Sequence, residues 1–152
     1  MSFDTKAGTR GSWQPRGRLL HWANLLVNRR IRRGRNTKFM GFDALVLRTV
    51  GRRSGEERFT PLGWFPAPDG SRLIVAAAAG APGNPAWYYN LAAHPDDVRI
   101  EVGGETLAVR AEQLHGAERE EAWQLIVAAA PRFADYQVKT DRELPVIRLI
   151  AR

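Results

Sequence analysis

The sequence predicts a mainly β, α+β fold: a small antiparallel barrel of about six strands, with two to three helices covering its ends. Three observations carry that prediction. From residue 44 onward apolar residues recur with a period of two, and Gly- and Pro-rich breaks divide them into short, hairpin-connected runs. Helical spacing appears only in brief stretches between them. The chain has 152 residues, 44% of them apolar, which suffices for one compact core and is too little for two.

Residues 1–17 are rich in Gly, Ser, Thr, Arg and Pro and read as a flexible basic tail. Over residues 18–33, Leu19, Trp22, Ala23, Leu26 and Val27 follow the i, i+3, i+4, i+7, i+8 spacing of one helix face. Arg29, Arg30, Arg32 and Arg33 crowd the C-terminal end of that helix, where cations suit the dipole. Residues 18–40 are therefore expected to form an amphipathic basic helix, a candidate membrane arm, and residues 41–152 the barrel domain. Residues 44–50 (ALVLRTV) predict a strand, 51–55 (GRRSG) a turn, and 58–65 a second strand whose Pro61 and Gly63 imply an edge or a bulge. A turn at 66–71 leads to a strand at 73–79 (LIVAAAA), which becomes all small at its end. Asn84 and Pro85 open a short helix over 86–93, Asn as cap and Pro in the first turn. Strands at 98–102 and 106–113 flank Gly103-Gly104, a strong hairpin signal. A helix follows at 116–130, stopped by Pro131, and residues 144–150 (LPVIRLI) predict the last strand.

Charge is distributed unevenly. Net charge is +7, but residues 1–40 carry ten Lys and Arg against one acid, Asp4, while the remainder is close to neutral. Such a segment meets an anionic surface, and a membrane fits better than nucleic acid, because Trp22 is committed to the apolar stripe rather than free to stack among the basic residues. The bland reading, in which the stripe packs on the body, stands beside it. No run of about 18 apolar residues exists, so no bilayer span is expected, and residues 19–27 lack a cleavage site of the signal-peptide kind. A cytoplasmic protein, peripheral on the inner face of the plasma membrane, fits these features.

The absence of cysteine excludes a disulfide scaffold, a thiolate nucleophile and cysteine-ligated metal. The three histidines stand far apart, no metal site is predicted, and no Ser/His/Asp arrangement is visible. Hard chemistry on this chain would fall to a bound organic cofactor. Three segments offer a place for one. Residues 49–55 (TVGRRSG) bring two guanidiniums, two hydroxyls and two glycines to a turn where a phosphate or carboxylate could be held, although a solvated hairpin tip has the same composition. Trp87 and Asn90 share a face of the short helix, an aromatic plane beside an amide. Phe133, Tyr136 and Gln137 set an aromatic ring and a phenol next to a second amide.

In this order the motifs TVGRRSG (49–55), TPL (60–62), IVAA (74–77), NPAWYYNL (84–91), ADYQ (134–137) and TDR (140–142) with Pro145 resemble the deazaflavin-dependent nitroreductase family. The resemblance spans residues 44–150. It implies an FMN-binding split-barrel-like fold that takes coenzyme F420, with Arg52, Arg53 and Ser54 on its acidic phosphate and glutamate tail. Thr60, Pro61, Leu62 and Gly63, with Ala76, Ala77, Ala78 and Ala79, would line the deazaflavin, and Ala86, Trp87 and Asn90 would complete the pocket. The implied reaction is hydride transfer from the reduced deazaflavin to a quinone, nitro compound or other conjugated acceptor, with Phe133 and Tyr136 at the substrate and Tyr136 or solvent supplying the proton. Members are often membrane-associated, and pairing into a homodimer is compatible with the fold. Many relatives have Ser-Lys where Ala78 and Ala79 stand, and one that reduces nitroimidazoles has tyrosines at the places of Gly63, Ala130 and Phe133. Poor nitroimidazole reduction is expected from that. The alternative is a non-catalytic protein on the same fold that binds F420, a fatty acid or another lipid, and an FMN-binding oxidase is a third reading.

Overall fold

A computed structural model describes residues 3–12, 38–39 and 42–152. Eight strands form one sheet: β1 (Lys38–Phe39), β2 (Phe42–Val50), β3 (Glu57–Gly63), β4 (Phe65–Pro66), β5 (Arg72–Val75), β6 (Val98–Val102), β7 (Glu105–Gln113) and β8 (Val146–Ala151). Three helices accompany them among the described residues, α1 (Ala86–Ala93), α2 (Gly116–Ala129) and α3 (Arg132–Lys139), with a 3₁₀ turn at Ala78–Gly80. Six of the strands have four or more residues, matching the expected number.

Topology makes the sheet curl. The strand order runs β1-β2-β6-β7-β8-β5-β4, with β3 paired to β2, and every pairing is antiparallel. β3 and β4 thus lie at opposite ends of the order, yet Trp64 alone separates them in the chain. Two Cα steps span roughly 7 Å, so the ends must come together and the sheet closes into a split barrel. Pro61 sits on β3, which among the described residues pairs with β2 alone, and an edge strand is where a proline is tolerated.

The period of two sorts the strands into inside and outside. Leu45, Leu47, Ile74, Ile100, Val109 and Ile147 point inward with Tyr88 and Leu91 of α1, all essentially inaccessible. Leu73, Val75 and Val146 face the other way and meet Ala122 and Ile126 of α2. Each buried Leu or Ile contributes about 1.5–3 kcal/mol of transfer free energy.

Five expectations are corrected. The strand read through Ala79 stops at Val75, because the chain turns: Ala78 and Ala79 have φ of 47° and 53°. Pro131 ends one helix but begins another, α3, since its fixed φ suits a helix start. Asn84 does not cap α1; its amide donates to the Thr5 carbonyl and its oxygen accepts from Arg142. Residues 3–12, read as part of a flexible tail, are bonded to the body: Gly8 and Ser12 donate backbone bonds to the carbonyls of Pro82 and Gly80, and Thr5 and Thr9 bond Tyr88 and Asp141. The helix expected over 18–40 lies outside the described residues except at 38–39, and there it is corrected: these two residues are strand, paired with Asp43 and Phe42.

Candidate functional site

The turn between β2 and β3 faces α1 across a cleft of ≈ 580 Å³. Seven residues singled out from sequence line it together: Arg52, Arg53, Ser54, Thr60, Ala86, Trp87 and Asn90. Arg58 and Phe59 line it as well, and the sequence reading missed both. An alternating strand hides which residue of a pair faces a cleft until its register is known, and β3 presents Thr60 beside them.

Asn90 explains why the turn holds its place. Its Oδ1 accepts from the Arg52 backbone N–H at 3.0 Å, and its Nδ2 donates to Thr49 Oγ1 at 3.3 Å. Both side chains are buried, so this staple fixes the arginine-bearing turn to α1. The turn closes on itself through Gly51 N–H to the Glu56 carbonyl at 2.7 Å and Gly55 N–H to the Gly51 carbonyl at 2.9 Å, Gly55 supplying the positive φ of 71°. Ser54 Oγ accepts from Glu56 N–H at 3.2 Å.

Two acids stand at the cleft, Glu57 as one of its lining residues and Glu56 beside it, and each has an arginine partner. Glu57 pairs with Arg48 at 2.7 Å, and Glu56 lies 3.6 Å from Arg58. Among the described residues neither Arg52 nor Arg53 has a carboxylate partner, and both are exposed. The Arg52 guanidinium lies over the Tyr89 ring at 4.6 Å, which orients it without neutralising it. Two forked donors are therefore presented beside an apolar wall of Trp87, Ala86 and Phe59. That arrangement can hold an anionic tail and seat a flat ring next to it.

The remaining predicted residues do not line this cleft. Pro61, Leu62 and Gly63 continue along β3, Leu62 packing against the barrel core. Ala76 and Ala77 are buried, Ala76 in the same cluster as Trp87, and Ala78 and Ala79 form the left-handed turn beyond them. Phe133 and Tyr136 stand on α3, edge to face at 5.6 Å, in the cluster that packs outside the barrel, and α3 lies against the 78–80 turn. The Tyr136 hydroxyl makes no hydrogen bond among the described residues.

Arg142, quoted above only within a motif, is the residue whose importance sequence reasoning missed. It is 2% exposed and uses all five guanidinium donors. Nε reaches the Ala81 carbonyl at 3.2 Å. Nη1 reaches the Ala76 carbonyl and Asn84 Oδ1, both at 2.8 Å, and Nη2 reaches the carbonyls of Ala77 at 2.9 Å and Ala81 at 3.0 Å. Burial depresses its pKa, yet the guanidinium stays charged and is satisfied by carbonyls. Its neighbour Asp141 faces outward to Thr9, whose hydroxyl and amide hold that carboxyl down at about 2.

The family profile described as F420H(2)-dependent quinone reductase matches residues 24–150. The chain belongs to the F420H(2)-dependent quinone reductase family. A family member of that name from Mycobacterium tuberculosis (strain ATCC 25618 / H37Rv) is 39% identical over 113 residues, covering 72% of this chain and 74% of its own. Among solved structures, an F420-H2 dependent reductase (FDR-A) is 38% identical with a TM-score of 0.63, over 70% of this chain and 92% of that one. Another, described as a domain-swapped dimer, is 33% identical with a TM-score of 0.65, over 87% and 99%. Coenzyme F420 is the cofactor of this reductase family, and the split barrel seen here is its fold.

Proposed function

We propose that this chain is an F420H2-dependent quinone reductase whose coenzyme is anchored at the β2–β3 turn. The observation that carries the reading is the pair Arg52 and Arg53, exposed, without carboxylate partners among the described residues, and fixed to α1 by Asn90. Arg52, Arg53 and Ser54 hold the phosphate and glutamate tail. Thr60, Pro61, Leu62 and Gly63 on one side, Ala76, Ala77, Ala78 and Ala79 on the other, and Ala86 and Trp87 at the α1 end enclose the ring. Small side chains at 76–79 let a flat ring approach backbone, and the apolar walls keep water from it.

Reduced F420 supplies two electrons and a proton as hydride, and the quinone becomes quinol by taking that hydride and one further proton. The protein's part is orientation. Tyr136 Oη, or solvent, delivers the proton, and Phe133 packs on the acceptor side. The reading is tested by turnover: purified protein should oxidise reduced F420 only when a soluble naphthoquinone is added. Saturable binding of F420 with no quinone-dependent oxidation would favour the non-catalytic binder instead.

The basic segment before residue 40 is assigned to an anionic membrane face, where lipid-soluble quinones reside; its charge and apolar spacing support this, and no helix among the described residues is long and apolar enough to cross a bilayer. Reversing Arg29, Arg30, Arg32 and Arg33 to Glu should abolish sedimentation with anionic liposomes. Retained sedimentation would sink the assignment. A homodimer goes with this reading, supported by the relative that is a domain-swapped dimer.

A further inference from the structure

Ala78 and Ala79 are the only non-glycine residues with positive φ among those described, and Gly80 follows with φ 82°. Alanine in that region costs about 1–2 kcal/mol per residue, so something must over-determine the turn. The surrounding bonds show what does. Gly80 and Ala81 N–H close the turn on the carbonyls of Ala77 and Ala78, at 2.9 and 3.0 Å. Arg142 then takes the carbonyls of Ala76, Ala77 and Ala81 and the side chain of Asn84. One buried guanidinium, sixty residues away in sequence, thus ties both ends of the segment from 76 to 84. Hydrophobic packing does not need a charge there, and a buried cation without a carboxylate is costly to keep.

We propose that Arg142 is a positioning residue for the reductase reaction: it holds the left-handed Ala78–Ala79 backbone in the geometry that sets the ring against the acceptor. The inference rests on the assignment of residues 76–79 to the ring pocket. It separates two roles within one site. Arg52 and Arg53 provide affinity through the tail, and Arg142 provides alignment without touching coenzyme or quinone. Loss of alignment should therefore appear in kcat while the affinity for coenzyme stays, because a displacement on the scale of an ångström is enough to slow an oriented transfer roughly ten- to a hundredfold.

The test compares wild type, Arg142→Met and Arg142→Lys by fluorescence titration with oxidised F420, steady-state reduction of a soluble naphthoquinone, and backbone hydrogen exchange. Arg142→Met should speed exchange at residues 78–81 and lower kcat roughly ten- to a hundredfold, with the dissociation constant for F420 within about threefold of wild type. Arg142→Lys, which keeps the charge but offers three donors in place of five, should recover part of kcat. Should Arg142→Met fail to fold, Arg142→Lys decides alone: a lowered kcat with unchanged F420 affinity supports the proposal, and wild-type kcat overturns it. Faster exchange with unchanged kcat, or affinity lost in step with kcat, would also overturn it. Wild-type protein that binds no F420 would instead sink the coenzyme assignment itself, and the Arg52→Ala/Arg53→Ala protein, expected to lose affinity but keep slow exchange at 78–81, distinguishes the two failures.

Discussion

Asp141 and Arg142 are adjacent in the chain and do opposite things, which only their partners reveal. Arg142 turns inward to carbonyls and Asp141 outward to Thr9. Because Thr9 donates to the ionised carboxylate from its hydroxyl and its amide, the Asp141 pKa lies at about 2, below the ordinary 3.8. A depressed carboxylate contributes its stabilisation above the ordinary value and loses it as pH falls from about 4 toward 2. Asp141 is exposed, so the effect is local. Carboxyl carbon NMR should show it titrating near 2, with residues 3–12 released over the same window; titration near the ordinary value would contradict the clasp. At this scale the sequence was legible where residue type dictates chemistry, as with the charged turn at Arg52 and Arg53. It was opaque at Ala78 and Ala79, where no Gly or Asn announces a left-handed turn and the partner that imposes it lies sixty residues further on.

At the scale of elements, most boundaries follow from local signals. Gly103-Gly104 turns the β6–β7 hairpin, and α1 starts at Ala86 after Pro85. The misreadings share one cause, a residue with two uses. Pro131 reads as a stop and is also the start of α3. Gly8 and Gly11 belong to the Gly-rich composition that reads as a flexible tail, whereas they let the N-terminus approach the body: a Cβ on Gly8 would strike Asp141 and the Arg142 backbone, and one on Gly11 would strike the backbone of residues 80–82. Gly8→Val should undock residues 3–12 while leaving the barrel folded, seen as faster amide exchange at positions 8 and 12 with the β7 and β8 amides still protected. Unchanged protection at positions 8 and 12 would show that the contact is not the one that holds this segment.

For the whole molecule, the split barrel was legible because hairpins constrain neighbours and the alternating pattern assigns faces; the closure through Trp64 was not, since it depends on strand order. The cleft lies where the stapled β2–β3 turn meets α1, joining residues from two distant motifs in one anionic-tail site. The measurement that tests this most directly is a fluorescence titration with oxidised F420, comparing wild type with Arg52→Ala/Arg53→Ala. Wild type should bind saturably, and the variant roughly tenfold or more weakly, with the thermal midpoint unchanged because both arginines are exposed. No binding by wild type, or equal binding by the variant, would contradict this.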